Sequence, residues 1–312
     1  MPTSFCSDVA AVLVTYHPQQ ATLQAAVQAL HGQVAQLWVV DNTATSGACP
    51  WLPALVRDAA VPAQLLEQSQ NLGIGAAHNI GIRAARAHGA RWVLLLDQDS
   101  RLEPGAVARL RHAALQLQAQ GLLLAAVGPQ YRAEDGREWS GFVRFGWLRL
   151  IHHAASDAQP LVPADFLISS GSLIPMDALD AIGLMDEALF IDHVDTEWCL
   201  RAHALGYRLF GVHGARMVHA LGERRWRVWL GRWRNLPQHA PFRYYYMFRN
   251  NALLLQRPEL SPRWKRISRL RHWYLALFCC LPSGPWRERL RMIALGLSDA
   301  REQRLGRRDD WM

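Results

Sequence analysis

The 312-residue sequence predicts an α/β fold: a mostly parallel sheet covered by helices on both faces, followed by a basic helical C-terminal extension. Three observations predict it. Strand and helix signals alternate through the first half, the pattern of a parallel sheet with crossover helices. The strands are near-continuous apolar runs, as expected where both faces are buried. Polar residues gather at the carboxyl ends of those runs, where ligands bind in open parallel sheets.

The elements follow in order. "VAAVLVTY" (9–16) reads as a buried strand, broken by Pro18. "ATLQAAVQALHGQ" (21–33) has helical spacing and a glycine stop. "VAQLWVVDN" (34–42) is a second strand and "AQLLEQ" (63–68) a short third. "NLGIGAAHNIGIRAARAHGA" (71–90) is a glycine-rich turn opening a helix. "RWVLLLDQDS" (91–100) is a fourth strand, and "GAVARLRHAALQLQAQG" (105–121) a further helix. The strand ends carry Thr15 and Tyr16, Asp41 and Asn42, then Asp97 and Asp99.

Half of the residues are hydrophobic, which excludes a disordered chain. No run reaches the roughly 18 apolar residues of a membrane span. The N-terminus lacks the basic region and cleavage site of a secretory signal. Cys6, Cys49, Cys199, Cys279 and Cys280 have no CxxC spacing. Reduced thiols in a cytoplasmic protein are the expectation. The net charge of +8 is uneven: residues 224–312 hold 20 basic and 6 acidic residues, a net of +14, and residues 1–223 a net of −6. A segment so basic seeks phosphates, on nucleic acid or on an anionic membrane.

Asp97 and Asp99 emerge from a buried strand one residue apart. Two carboxylates so placed are costly without a cation, and a divalent metal holding a diphosphate would supply one. The spacing is equally that of a solvated loop in which Asp99 or Ser100 caps a helix.

Several segments, in order, carry more: "VLVTYHP", "VVDNTA", "NLGIGAAHNIGI", "LLLDQDS", "FLISSGSLIP", "MDEALFIDHVDTEWCLRA" and "MVHALGE". Over residues 9–255 the chain resembles the inverting family 2 glycosyltransferases of the GT-A fold, and among them bacterial rhamnosyltransferases using dTDP-L-rhamnose, including the rhamnolipid type. The resemblance implies a catalytic domain over residues 1–223, with a nucleotide-sugar half to about 125 and an acceptor half beyond. Thr15 and Tyr16 would line the nucleotide pocket, and Asp41 would accept the ring imide hydrogen. Asn71, Gly73 and Asn79 would shape the turn over the nucleotide. Asp97 would meet the nucleoside part of the donor. Asp99 and His219 would hold Mg²⁺ or Mn²⁺, and Ser169, Ser170 and Gly171 would form the acceptor-side wall.

Transfer with inversion needs a carboxylate to take the acceptor's proton. Many relatives carry an acidic pair, one further residue, then Asp. The second acid of the pair is usually their base, and here that position is His193. Asp192 is therefore the first choice, with Asp195 and His193 behind it. The same acids also suit a helix N-terminus.

The Arg/Trp/Tyr run at 224–257 could suggest nucleic acid, but no binding motif appears, and one Lys against 33 Arg marks a compositional bias. "RWKRISRLRHWYLALFCCLP" (263–282) sets a basic run beside an aromatic and apolar patch, as in helices that lie in a membrane interface. The expectation is an enzyme peripheral to the inner face of the bacterial cytoplasmic membrane. Its acceptor would be a lipid-linked saccharide or glycolipid, and nucleic acid would not be a partner. Another nucleotide sugar, or a non-catalytic binding protein of this fold, is the alternative.

Overall fold

The computed structural model describes residues 5–43, 47–133, 136, 139–219, 225–229, 233–237, 239–280 and 285–309. The chain opens with β1 (Cys6–Thr15), α1 (Gln20–Gln28), β2 (Val34–Asp41), α2 (Leu52–Arg57), β3 (Ala63–Glu67) and α3 (Ile74–Ala87). Next come β4 (Trp92–Asp97), β5 (Ser100–Leu102), α4 (Ala106–Ala119) and β6 (Leu124–Arg132). A hairpin of β7 (Phe142–Phe145) and β8 (Leu150–His153) follows, then β9 (Leu161–Ala164), β10 (Leu173–Pro175), α5 (Met176–Ile182), α6 (Val194–Ala204) and β11 (Arg208–His219).

Nine strands form one sheet in the order β3-β2-β1-β4-β10-β6-β11-β5, with β9 also on β11. β1 to β4, β6 and β11 run in one direction, while β10, β5 and β9 oppose them. The fold class is the one the sequence predicts. Side chains alternate across β1: Val9, Ala11 and Leu13 face a core shared with Leu23 and Leu110, whereas Ala10, Val12 and Val14 face another with Ile82, Leu179 and Trp198. Both faces are therefore buried, which is why the strand is apolar at every position from Val9 to Val14. α3 lies so close to β1 that a Cβ on Gly81 would come within 2.3 Å of the Val12 side chain.

The basic C-terminal third departs from an all-helical expectation. It begins with an antiparallel hairpin, β12 (Arg225–Trp229) and β13 (Trp233–Pro237), described as backbone, with 220–224, 230–232 and 238 outside the described residues. Helices follow: α7 (Pro241–Gln256), α8 (Pro262–Cys279) and α9 (Trp286–Arg301). These helices are tied to the body. Arg257, which caps the C-terminus of α7, pairs with Asp186 at 2.6 Å and with the buried Glu197 at 2.7 Å. Phe190, from the body, packs with Tyr244, Tyr245, Tyr246 and Met292. Among the described residues no helix is long and apolar enough to cross a membrane.

Candidate active site

The carboxyl ends of β1, β2 and β4 lie side by side, because β1 pairs with both neighbours and Thr15 registers against Asp41. Thr15 Oγ1 donates to Asp41 Oδ1 at 2.8 Å, and the Thr43 amide donates to the same oxygen at 3.2 Å. Asp41 is thus oriented with its second oxygen outside both bonds. Tyr16 is about half exposed beside this pair. Its amide donates to Gln98 Oε1 at 2.8 Å, so the residue between the two aspartates ties the β4 turn to the end of β1.

Asp97, Asp99 and His219 offer ligand atoms within 4.8 Å of one another. Their meeting is a product of topology, since β11 places His219 opposite Ser100 across an antiparallel pairing. His219 Nδ1 lies 3.2 Å from Asp99 and 2.8 Å from Ser100 Oγ. Burial pushes the Asp97 carboxyl up to about 6; His219 opposes that rise and Asp99 adds to it. Burial also disfavours the His219 imidazolium, but the Asp99 hydrogen bond and charge outweigh it and hold its pKa above the ordinary value. Two carboxylates and an imidazole, all half-buried, are a donor set that fits a divalent metal.

Ser170 braces this loop from below. Its hydroxyl accepts from the Asp97 amide at 3.0 Å and lies 2.6 Å from Ser100 Oγ. Gly171 has φ +84°, and a Cβ there would meet Pro129 at 2.6 Å and Met217 at 2.9 Å. Ser169 is half-buried and its carbonyl accepts from Ser172 N. Ser170 therefore stands under the Asp97–Asp99 turn.

Asn71 closes the turn before α3: its Oδ1 accepts from Asn42 Nδ2 and from the Gly73 amide, both at 2.9 Å. Gly73 has φ +86° and sits against Phe190, whose carbonyl oxygen a Cβ would approach to 2.4 Å. Asn79 is buried and spends its amide on Met185 N, Met185 O and Glu187, anchoring the 185–187 loop. The structure thus draws Thr15, Tyr16, Asp41, Asp97, Asp99 and His219 together, and uses Asn71, Gly73 and Asn79 as supports.

The turn before α6 is strained. Phe190, Asp192 and His193 have φ of 64°, 63° and 64°, a region that costs non-glycine residues energy. Asn250 of α7 holds it, donating from Nδ2 to the carbonyls of Leu189, Ile191 and Asp192 at 2.8–2.9 Å. Arg243 of α7 grips the Asp192 carboxylate at 2.6 and 3.3 Å. Burial, with Arg271 nearby, holds the His193 imidazole down to about 4, and its ring lies 5.5 Å from His272. Burial pushes Asp195 up to about 6, and the charges of Asp97 and Asp192 add to that although the Thr196 amide, 2.7 Å away, opposes it. Arg243 and Asn250 are functional candidates the sequence reading did not single out. Both lie in "HAPFRYYYMFRN", and the signal available was polar residues inside an aromatic helix.

A cleft of ≈ 990 Å³ opens beside this turn, lined by Asp192, His193 and Thr196 at one end and by apolar residues of α8 and the β7–β8 hairpin elsewhere.

Three comparisons bear on this geometry. The sequence model described as "Glycosyl transferase family 2" matches residues 11–183. The chain is 32% identical over 254 residues to dTDP-rhamnosyl transferase RfbF of Shigella flexneri, covering 80% of this chain and 81% of the relative. It is 28% identical over 300 residues to galactofuranosyltransferase GlfT1 of Mycobacterium tuberculosis (strain CDC 1551 / Oshkosh), covering 92% and 95%. A solved structure of GalNAc-T7 with UDP, GalNAc and Mn²⁺ superposes with a TM-score of 0.59 at 14% identity, covering 95% of this chain and 56% of that one.

Proposed function

The chain belongs to glycosyl transferase family 2, and from that premise we propose that it transfers L-rhamnose from dTDP-L-rhamnose, with inversion, to a hydroxyl of a lipid-linked saccharide or glycolipid. The observation that carries the reading is the convergence of Asp97, Asp99 and His219 beside the Thr15–Asp41 pair. Asp41 Oδ2 accepts the thymine imide N–H, since a carboxylate is acceptor-only and its other oxygen is already engaged. Tyr16 covers the ring with its exposed face. Asp97, Asp99 and His219 would hold Mg²⁺ or Mn²⁺, which when bound neutralises the diphosphate leaving group.

Asp195 takes the acceptor's proton. The sequence reading puts Asp192 first, but Arg243 donates to both of its oxygens and leaves neither free for an acceptor hydroxyl. A carboxyl raised to about 6 is better matched to proton abstraction near neutrality. Asp192, which lines the cleft, instead holds Arg243 by a two-point ion pair. Exposed Arg263, Arg269 and Arg271 of α8 draw the protein to anionic lipid.

The likeness to GlfT1, over nearly the whole chain, favours galactofuranose as the second donor sugar to test. Purified protein incubated with a panel of nucleotide sugars and Mg²⁺ or Mn²⁺ should release thymidine diphosphate from dTDP-L-rhamnose fastest. Faster release from another donor would replace the proposed one.

A further inference from the structure

The cleft beside Asp192 is more apolar than a saccharide needs. α8 lines it with Trp264, Ile267, Arg271, Leu275 and Phe278, which share one helical face at three- and four-residue spacing. Val143, Phe145 and Leu150 of the β7–β8 hairpin face them. Its volume is at the upper end for small-molecule sites. The two walls are joined at the hairpin turn, where the Arg266 guanidinium lies 3.9 Å from the centre of the Trp147 ring.

Exposed apolar residues surround these walls. Trp147, Leu148, Trp273 and Tyr274 are each more than half exposed. Exposed arginines, Arg263, Arg269 and Arg271, lie on the same helix. Aromatic and basic side chains together on an open face suit a lipid–water boundary.

We infer that this cleft seats the hydrocarbon chain of the acceptor lipid, with Arg271 on its phosphate group and its sugar hydroxyl at the Asp192–Asp195 turn. The occupant is a single apolar chain with an anionic head. Charge selects it, because the Arg271 guanidinium in the cleft wall complements a phosphate. Continuity selects it too, because the apolar residues line the same cleft as Asp192 and Thr196, at the turn that leads into Asp195. The inference rests on the glycosyltransferase reading for the position of the sugar, and on the cleft alone for the chain.

The test is calorimetric titration of the full chain with butyl, octyl and dodecyl phosphate, each below its micelle-forming concentration. Affinity should rise roughly threefold to fourfold per added methylene, the scale of methylene burial. Leu275→Glu should weaken dodecyl phosphate at least tenfold and leave butyl phosphate little changed. Tyr274→Glu, at an exposed position, should act in the same direction without threatening the fold. Affinity independent of chain length overturns the inference, as does dodecyl binding unaltered in Tyr274→Glu. So does a dimer, seen by light scattering, that dodecyl phosphate dissociates, since the cleft would then seat a second copy of the chain. Thymidine diphosphate is titrated in parallel with Mn²⁺; its failure to bind would sink the donor reading while leaving the chain-length result to stand by itself.

Discussion

The side-chain amide of Asn250 donates to the carbonyl oxygen of Asp192 at 2.9 Å, across 58 residues of sequence. The same nitrogen reaches the carbonyls of Leu189 and Ile191. One buried amide thereby holds a turn in which three residues carry positive φ. Strain of this kind persists only where neighbours over-determine it.

Asn250→Ala should therefore cost about 1–3 kcal/mol, the scale for buried acceptors left without a donor. Turnover should fall further than stability accounts for, because the turn carries Asp192 and leads into Asp195. Urea melts and steady-state kinetics check both. A variant with lost stability but wild-type turnover at low temperature would mean the turn does not position the chemistry.

Asp195→Asn should reduce turnover by at least about 100-fold, the usual scale for a general base, with thymidine diphosphate binding retained. Asp192→Asn should reduce it less and release Arg243. The reverse ranking in a single-turnover assay would restore Asp192 as the proton acceptor.

The pH profile carries a sign. Asp195 must be ionised to accept a proton, and its pKa is raised to about 6. The rate constant for chemistry should be flat above that value and fall about tenfold per pH unit well below it. A limb near pH 4, the ordinary carboxyl range, would contradict the raised value.

Asp97 supplies a stability test. Its folded pKa, about 6, lies above the unfolded value, so the fold favours the neutral acid. Stability owed to this group is present below about pH 4 and is lost as pH rises through 6. Without metal, Asp97→Asn should raise the melting temperature at pH 7.5 and change it little at pH 4. A stabilisation equal at both values would point to packing instead of charge.

Asp99→Ala should abolish turnover while leaving the melting temperature within a few degrees, because the residue is partly exposed and outside the core, and the proposed metal would lose a ligand. Excess chelator should do the same to the wild type. Full activity in either case would remove the metal from the reaction.

The strands at the donor face were legible in sequence because burial on both sides leaves only apolar residues possible. Val9 to Val14 and Trp92 to Leu96 could be read from that alone, and the polar residues that end them marked the face. β10 was harder: "FLISSGSLIP" yields three strand residues after a turn, because Gly171 must pack against Pro129 and Met217. The pairing of 225–229 with 233–237 was missed in a run dominated by Arg and Trp.

The sequence by itself determined the family, the sheet and the aspartates, since these rest on local pattern and on motifs that lie along one stretch of chain. Tertiary structure decided which polar residues meet. His219 reaches Asp99 only because β11 pairs antiparallel with β5. Asn79, next to the glycine-rich turn in sequence, is turned away to Met185. Arg243 falls on Asp192 because α7 folds back over a strained turn. Charge pairing and hydrogen bonding act over a few ångströms of space, so residues 51 or 119 apart in the chain become partners that no local window can see.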